Sequence, residues 1–201
     1  MDRQHFEEMY QDQAPWDTGR PQPAIVALAE AGQIRGSVLD VGCGTGENTL
    51  YLAAKGHAVC GLDFVPAAIE RAKAKAAQRG VEAQFLVGSA LELNRLGRQF
   101  DTLIDCGLFH TFSDEERAVF LKGLAEVLAV GGLLHIVCFS DEEPGSEGPR
   151  RISQREIRDA FQAPWTVKQI VPTRFESVEV PGRPRHSPGG PKAWLASIER
   201  S

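Results

Sequence analysis

The stretch from Ser37 to Asp63, SVLDVGCGTGENTLYLAAKGHAVCGLD, constrains the fold of this chain more than any other part of it. Its apolar start, residues 38–41, predicts a short strand that is buried on both faces. Three glycines among residues 42–46 then allow a sharp turn, and residues 47–55 have the composition of a helix. A second apolar strand over 58–62 follows. This succession predicts one unit of a parallel α/β sheet.

The acid at the end of the second strand indicates the kind of ligand. An acid about 20 residues beyond a glycine-rich turn is placed to accept hydrogen bonds from both hydroxyls of a ribose. Asp63 therefore predicts a nucleoside-containing ligand. The dinucleotide fingerprint has the spacing G-x-G-x-x-G, but here Gly46 comes one residue early and Glu47 occupies the expected glycine position. The spacing argues against a dinucleotide.

Two acids beside the turn, Asp40 and Glu47, favour a cationic ligand. A pyrophosphate prefers a helix N-terminus without a nearby carboxylate, whereas these acids would tolerate or attract a cation. The pattern resembles motif I of class I S-adenosylmethionine-dependent methyltransferases, whose cofactor carries a sulfonium and an ammonium but no phosphate. The alternatives are a nicotinamide-dependent oxidoreductase and a non-catalytic nucleoside-binding protein.

Length and composition set the class of protein. We expect the 201 residues to form a single domain, and the net charge of −5 argues against nucleic acid as a partner. No run reaches transmembrane length and residues 1–11 have no signal-peptide core, so we expect a cytoplasmic protein without a membrane partner. The four cysteines lack C-x-x-C spacing, which favours reduced cysteines and no metal site. Nothing in the sequence predicts the oligomeric state.

The rest of the chain continues the α/β pattern. Capping boxes at Ser113 and Ser153 mark the starts of two helices. Two consecutive strands without a helix between them predict an antiparallel pair at the C-terminus. The fold class expected is a Rossmann-like, doubly wound, seven-stranded sheet, mostly parallel with an antiparallel C-terminal strand, as the resemblance also implies. The helices are expected over 2–13, 24–31, 47–55, 66–79, 113–128 and 153–161, and the strands over 38–41, 58–62, 81–87, 100–106, 133–139, 165–171 and 193–199.

The N-terminal sequence Pro15-Trp16-Asp17-Thr18-Gly19-Arg20-Pro21 narrows the resemblance. It is similar to the branch that includes thiol, halide, thiopurine and tellurite methyltransferases, in which the N-terminal segment closes over the cofactor. Residues 1–36 are accordingly expected to cap the cofactor site. The resemblance implies that Trp16 packs near the methionine part of the cofactor, although it could instead fill the edge of the core. Arg20 would reach the cofactor carboxylate or remain a surface arginine.

The resemblance also implies a set of cofactor contacts. Gly42, Gly44 and the backbone near Cys106 would hold the amino group of the cofactor. Where the family often has an acid for the adenine, this chain has Ser89, so its hydroxyl or the backbone would replace the acid. The full set expected to bind S-adenosylmethionine is Trp16, Arg20, Asp40, Gly42, Cys43, Gly44, Gly46, Asp63, Phe64, Ser89, Ala90, Leu91 and Cys106.

The methyl acceptor is expected to be a small molecule that is methylated on sulfur, oxygen, nitrogen or as an inorganic anion. Trp16, Phe109 and His110 are the expected acceptor contacts. His110 follows strand four and, with an unperturbed pKa near 6.5, is the expected general base; alternatively it is a buried histidine satisfied by a backbone carbonyl. His5 and His186 are weaker candidates for this role. The Pro- and Gly-rich loops 141–151 and 181–191 are expected to cover the site.

Overall fold

The computed structural model describes residues 3–11, 14–146, 148–180 and 186–201, with side chains described from residue 6 and not for residue 11. Within these residues, seven strands form one sheet with helices on both faces. The strands are β1 Ser37–Val41, β2 Ala58–Asp63, β3 Gln84–Val87, β4 Phe100–Cys106, β5 Leu128–Phe139, β6 Trp165–Arg174 and β7 Lys192–Arg200. The α-helices are α1 Arg3–Gln11, α2 Pro23–Glu30, α3 Glu47–Ala54, α4 Pro66–Arg79, α5 Asp114–Val127 and α6 Gln154–Ala160.

The strands lie in the order β3-β2-β1-β4-β5-β7-β6. β1 to β5 pair in parallel, while β7 runs antiparallel to both β5 and β6. This confirms the predicted α/β sheet with an antiparallel C-terminal strand. The chain order reverses between β1 and β4, and a crevice forms at such a switch point beyond the carboxyl ends of the strands.

Helices cover the sheet through two separate apolar clusters. On one face, Ile25 and Leu28 of α2 belong to a buried cluster with residues of β1, β4 and β5. On the other face, Phe120 and Leu124 of α5 pack in the largest cluster. Residues 23–30, which form α2, thus pack against the sheet as part of the body of the fold. The expectation that residues 1–36 cap the cofactor site stays a prediction.

Strand five begins earlier than predicted. The strand was expected over 133–139, but β5 runs through Gly131 and Gly132 from Leu128. Leu128 pairs with Phe100, and the ladder resumes at the pair Thr102–Leu133 after an irregularity. The extra residues of β5 lie between these two pairs, so the strand departs from regular pairing around the glycines.

Other boundaries shift by a few residues. β3 begins at Gln84 instead of residue 81, and β6 continues to Arg174. Residues 2, 12 and 13 of the predicted first helix lie outside the described residues. A hairpin arm was expected over residues 173–180; residues 173–174 do pair with β7, whereas further on the backbone N–H of Val178 donates to the carbonyl of Pro15 at 2.9 Å.

Both predicted capping boxes are confirmed, at Ser113 with Glu116 and at Ser153 with Glu156. They begin α5 and α6 at defined residues, so the segment between β4 and α5 is held at both ends. That segment forms a short 3-10 turn, Phe109–Thr111. No helix in the described part of the chain is both long and apolar enough to cross a membrane.

Candidate active site

A cavity of about 1170 Å³ lies at the carboxyl ends of the parallel strands. A site for one drug-sized ligand has about 300–1,000 Å³, so this cavity has room for a cofactor and an acceptor. It brings together ten of the predicted site residues, which come from four separate segments of the chain. They are Trp16, Arg20, Gly42, Cys43, Gly44, Gly46, Asp63, Phe64, Cys106 and His110.

The glycine turn forms one wall of this cavity. Gly42, Gly44 and Gly46 have φ values of 74°, 54° and 84°, a region that L side chains rarely adopt. A Cβ at Gly44 would lie 2.6 Å from the Tyr10 hydroxyl oxygen. A side chain at these positions would be strained, and at Gly44 it would also clash with Tyr10, so the turn requires glycine.

Asp63 is held rigidly beside this turn. Its Oδ2 accepts a hydrogen bond from the backbone N–H of Gly44 and its Oδ1 accepts one from that of Val65, both at 2.9 Å. Burial raises the pKa of Asp63, against the backbone hydrogen bonds that lower it. Each carboxylate oxygen can accept a further hydrogen bond. Asp63 can thus receive two ligand hydroxyls without moving.

Asp40 lies beneath the turn and not in the cavity wall. Its Oδ2 accepts a 2.6 Å hydrogen bond from the Thr49 hydroxyl, and burial raises its pKa to about 7. The predicted direct cofactor contact of Asp40 is therefore corrected: this carboxyl fixes the start of α3 instead. Its neighbour Asp105 is also fully buried and accepts hydrogen bonds from the N–H groups of Leu108 and Phe109 at 2.9 and 3.2 Å.

We expect Asp105→Asn to gain stability relative to the wild type as the pH rises. Burial raises the folded-state pKa of Asp105 to about 7, against an ordinary value of about 3.9. Between these values the folded state keeps a proton that the unfolded state has released, so ionisation costs the wild type stability as the pH increases. From pH 5 to pH 8 the relative gain in the free energy of unfolding should be on the order of 2–3 kcal/mol.

Urea unfolding at both pH values measures this gain, with Asp101→Asn as the matched control. Hydrogen bonds from Ser37 lower the pKa of the exposed Asp101, so it is ionised in both states throughout this range. Its effect on stability should be the same at pH 5 and pH 8. A pH-independent effect of Asp105→Asn would contradict a raised pKa.

Glu47 was expected to repel a phosphate, but its charge is already paired. Its carboxylate lies 2.8 Å from both Lys75 Nζ and Arg79 Nη1. Lys75 also donates to the Thr45 hydroxyl at 2.7 Å, and Thr45 donates to Asp17 Oδ1 at 2.7 Å. Lys75 thus links α4 to Thr45 of the glycine turn and, through it, to Asp17. Lys75 and Arg79 are one helical turn apart, so their spacing in the sequence could have indicated that both reach the same carboxylate.

Residues 14–22, here called the N-terminal segment, form part of the cavity wall. Trp16 is 40% exposed and lines the cavity, with its Nε1–H donating to the Tyr10 hydroxyl at 3.0 Å. This exposure contradicts the alternative that Trp16 fills the core edge. The side chain of Gln22 exchanges two hydrogen bonds with the backbone of Glu176. Arg20 lies at the cavity, and its Nε is 3.2 Å from Glu176 Oε2.

His110 lines the cavity but has the wrong chemistry for a base. Its ring is 5% exposed, and its Nδ1 accepts a 3.2 Å hydrogen bond from the N–H of Phe139. Hydrogen bonding therefore assigns the ring proton to Nε2. Burial lowers the pKa of His110 to about 3, and Arg151 and Arg117 add to this effect. His110 is a neutral hydrogen-bond donor, which corrects the expected general base. Its partner is a backbone N–H and not the carbonyl of the alternative.

Five predicted contacts lie outside the cavity wall. Phe109 is fully buried, 5.9 Å from the Phe161 ring and 4.5 Å from the Arg117 guanidinium, so the expected acceptor contact is corrected. Ser89 caps a 3-10 helix by accepting from the N–H of Leu91 at 3.1 Å. The expected adenine contacts of Ser89 and its neighbours therefore stay a prediction. The five are Asp40, Ser89, Ala90, Leu91 and Phe109.

The structure reveals an aromatic wall that the sequence analysis missed. It consists of His110, Phe139, Phe175 and His186, whose neighbouring rings lie 5.1 to 6.1 Å apart. All four line the cavity. The positions of the two phenylalanines in the sequence could have indicated this wall. Phe139 ends β5 and Phe175 follows β6, so both lie at the same edge of the sheet. The rings give this part of the cavity an aromatic lining.

Parts of both Pro- and Gly-rich loops also line the cavity, namely residues 148–150 and 186–191; residue 147 and residues 181–185 lie outside the described residues. Cys106 contributes a thiol to the wall, and burial raises its pKa. A protonated thiol fits the expected pocket-lining role and not a nucleophile. The four cysteines, all within the described part of the chain, are free.

The comparisons with known proteins agree with this geometry. A family model for a methyltransferase domain matches residues 38–132. The chain is 36% identical to 2-heptyl-1-hydroxyquinolin-4(1H)-one methyltransferase of Mycobacteroides abscessus, over 85% of this chain and 80% of that protein. It is 27% identical to probable thiol methyltransferase 2 of Arabidopsis thaliana, over 83% and 70% of the two chains.

Solved structures support the same family. One, reported for the conversion of a disulfide bond into a thioacetal group during echinomycin biosynthesis, is 35% identical with a TM-score of 0.87, covering 98% of this chain and 92% of its own. Magnesium protoporphyrin IX methyltransferase from Synechocystis, with bound S-adenosylmethionine, shares the fold at 20% identity and a TM-score of 0.67, covering 88% and 76%.

The site itself fits S-adenosylmethionine. The glycine turn and Asp63 line the cavity together, and Asp63, held by two backbone N–H groups, can accept two further hydroxyls such as those of a ribose. These features and the relatives set aside the nicotinamide alternative. The chain belongs to the class I S-adenosylmethionine-dependent methyltransferases, and S-adenosylmethionine is its cofactor.

Proposed function

We propose that this enzyme methylates a heteroatom on the aromatic ring of a small molecule. The observation that carries this proposal is the aromatic wall, which shares one cavity with the glycine turn. The turn and Asp63 lie at the ends of β1 and β2, whereas Phe139 and Phe175 of the aromatic wall lie at the ends of β5 and β6. The cavity therefore divides into a cofactor half and an acceptor half on either side of β4.

In the cofactor half, Asp63 would hold the ribose hydroxyls, and the backbone at Gly42, Gly44 and Cys106 would hold the methionine part. When bound, S-adenosylmethionine supplies an electrophilic methyl group on a sulfonium. An aromatic face beside that sulfonium, here Trp16, contributes about 0.5–2 kcal/mol. Arg20 pairs with Glu176. Its expected contact with the cofactor carboxylate stays a prediction.

In the acceptor half, ring stacking would orient a planar acceptor and exclude water, which is most of what methyl transfer requires of a protein. The Nε2–H of His110 would donate a hydrogen bond to a polar atom of the acceptor. The related enzyme of Mycobacteroides abscessus is named for a hydroxyquinolinone, and the Arabidopsis relative for a thiol. We therefore place aromatic hydroxyls and aromatic thiols first among the acceptors.

The N-terminal segment supports a small acceptor, because it lines the cavity together with residues 175–180 and leaves little room for a macromolecule. We propose that this segment, with α1 before it, acts as the cap within a single domain over 1–201. The expected lack of a nucleic acid partner and the cytoplasmic location stay predictions from the sequence.

An acceptor panel tests the proposal. The purified protein is incubated with methyl-labelled S-adenosylmethionine and with aromatic hydroxyls, aromatic thiols, aliphatic amines, iodide or bulk tRNA. We expect label on the aromatic hydroxyls and thiols, with one S-adenosylhomocysteine formed for each methyl transferred, as mass spectrometry would show. Labelling of tRNA alone, or of no small molecule by a protein that binds the cofactor, would contradict the proposal.

A further inference from the structure

A second histidine, His186, lies in the aromatic wall under different electrostatic conditions from His110. Its side chain is 22% exposed and lines the cavity, so a ligand can reach it. Its Nδ1 lies 3.6 Å from Oε1 of Glu143, and its ring centroid lies 5.4 Å from that of Phe139. His186 thus has a carboxylate on one side of its ring and the acceptor half of the cavity within reach.

The surroundings of Glu143 favour its ionised form. Its residue is 3% exposed, yet Oε1 accepts a hydrogen bond from the N–H of Ser187 at 2.9 Å and Oε2 accepts one from that of Lys192 at 2.8 Å. Burial would raise the pKa of Glu143, but these two N–H groups and His186 lower it. The loop after β5 and the loop before β7 are therefore joined at an anion that faces His186.

The two histidines of the aromatic wall have opposite roles as a result. His110 faces the guanidinium groups of Arg151 and Arg117, and its Nδ1 is occupied by a backbone donor. His186 faces the carboxylate of Glu143, which favours a proton on Nδ1 and leaves the lone pair on Nε2. Among the described residues, Glu143 is the charged group at ion-pair distance from His186. A carboxylate also stabilises the imidazolium that forms when Nε2 takes a proton.

We propose that His186 is the general base for an acceptor hydroxyl and that Glu143 is its positioning residue. The proposal rests on the function proposed above. The O–H bond of the acceptor breaks and its proton passes to His186 Nε2. The oxygen electron pair forms the bond to the methyl carbon, and the sulfonium sulfur keeps the pair of the bond that breaks. The imidazolium, held beside Glu143, then returns its proton to water.

This role selects the acceptor class. A phenol has a pKa of about 10, so it is mostly protonated at neutral pH and gains from a base, whereas a thiol ionises more readily. We infer that the preferred acceptors carry a weakly acidic hydroxyl on an aromatic ring, as in phenols and N-hydroxy heterocycles. The aromatic wall holds the ring and His186 activates the oxygen.

The test compares His186→Gln and Glu143→Gln with the wild type on 4-substituted phenols and on the matching aromatic thiols. For weakly acidic phenols we expect His186→Gln to lower kcat/KM by about 100-fold, the low end for general base catalysis. On thiols the loss should be below about 3-fold. Glu143→Gln should lose about 10-fold on phenols and shift the rising limb of their pH profile to lower pH, because the imidazolium loses its carboxylate partner. His57→Gln, a histidine outside the cavity wall, is the matched control and should change neither rate.

A second measurement does not require turnover. In the presence of S-adenosylhomocysteine, the absorbance of bound 4-nitrophenol reports how much of it is phenolate. We expect the wild type to bind it as phenolate at a lower pH than in water, and His186→Gln to lose this shift. An equal phenolate fraction in both proteins would overturn the proposal, whatever the rates show.

The outcomes separate this proposal from the proposed function. If the wild type methylates phenols and His186→Gln keeps its rate on the weakest acids, His186 is not the base, but the function stands. If the wild type methylates thiols and no phenol, the hydroxyl class is wrong. If it binds S-adenosylhomocysteine and methylates no small molecule, the proposed function fails. Thermal melting and S-adenosylhomocysteine binding verify that each variant folds. If His186→Gln does not fold, the effect of Glu143→Gln on phenols and on their pH profile still tests the proposal.

Discussion

Asp63→Ala should weaken the binding of S-adenosylhomocysteine by roughly 10- to 150-fold, equivalent to about 1.5–3 kcal/mol. Two losses combine in this variant. The ribose hydroxyls lose a charged acceptor, and the N–H groups of Gly44 and Val65 lose the oxygens that now hold them at 2.9 Å. The glycine turn should therefore become less ordered as well as less complementary to the ligand. Isothermal titration measures the dissociation constant directly.

Glu70→Ala is the matched control for Asp63→Ala. It also removes one carboxylate, but Glu70 is exposed on α4, where it pairs with Lys73 at 3.0 Å. Such surface pairs contribute little, and the affinity should stay within about twofold of the wild type. A similar dissociation constant for Asp63→Ala and Glu70→Ala would show that Asp63 does not hold the ribose.

Gly46→Ala should destabilise the fold by roughly 2–5 kcal/mol, because it combines backbone strain with overpacking. Gly46 has a φ of 84°, and an added Cβ would lie 2.8 Å from Cε1 of Phe85 and 2.9 Å from Cβ of Ala72. Both neighbours belong to the buried cluster under the turn, so neither can move freely. For a chain of this length, the melting temperature should fall by about 5–15 °C.

Gly80→Ala separates the two causes. Gly80 also has a positive φ, 61°, at the end of α4, but an added Cβ there has no neighbour within 4 Å. This variant carries the strain alone and should cost about 1–2 kcal/mol. Scanning calorimetry of both variants gives the overpacking contribution as their difference. Equal losses would mean that the core under Gly46 is not tightly packed.

Local patterns were sufficient to bring the glycine turn and Asp63 to one cavity. The stretch from Ser37 to Asp63 contains two neighbouring strands and the turn between them, so the residues that meet in space are close in sequence. Val38 pairs with Val59 and Asp40 with Gly61 in the sheet, as such a unit requires. Gly42, Gly44, Gly46 and Asp63 all reach the cavity for this reason.

Long-range contacts decided the surroundings of His110 and His186. Glu143 meets His186 only because β5 and β7 pair side by side and bring two distant loops to one edge. His110 looked like a base from its place after β4, but the N–H of Phe139 and two arginines set its protonation. Phe109, its neighbour, turned into the core because the 3-10 turn directs the two side chains differently.

The sequence by itself determined the fold class, the cofactor and the glycine turn with Asp63, because each depends on residue types at short, fixed spacing. Only the tertiary structure decided which groups are charged and which reach a ligand. Burial and partners control both. Glu47 is an example, because it begins α3 but pairs with Lys75 and Arg79 near the C-terminal end of α4. Protonation state is a property of the assembled environment, and spacing along the chain carries little information about it.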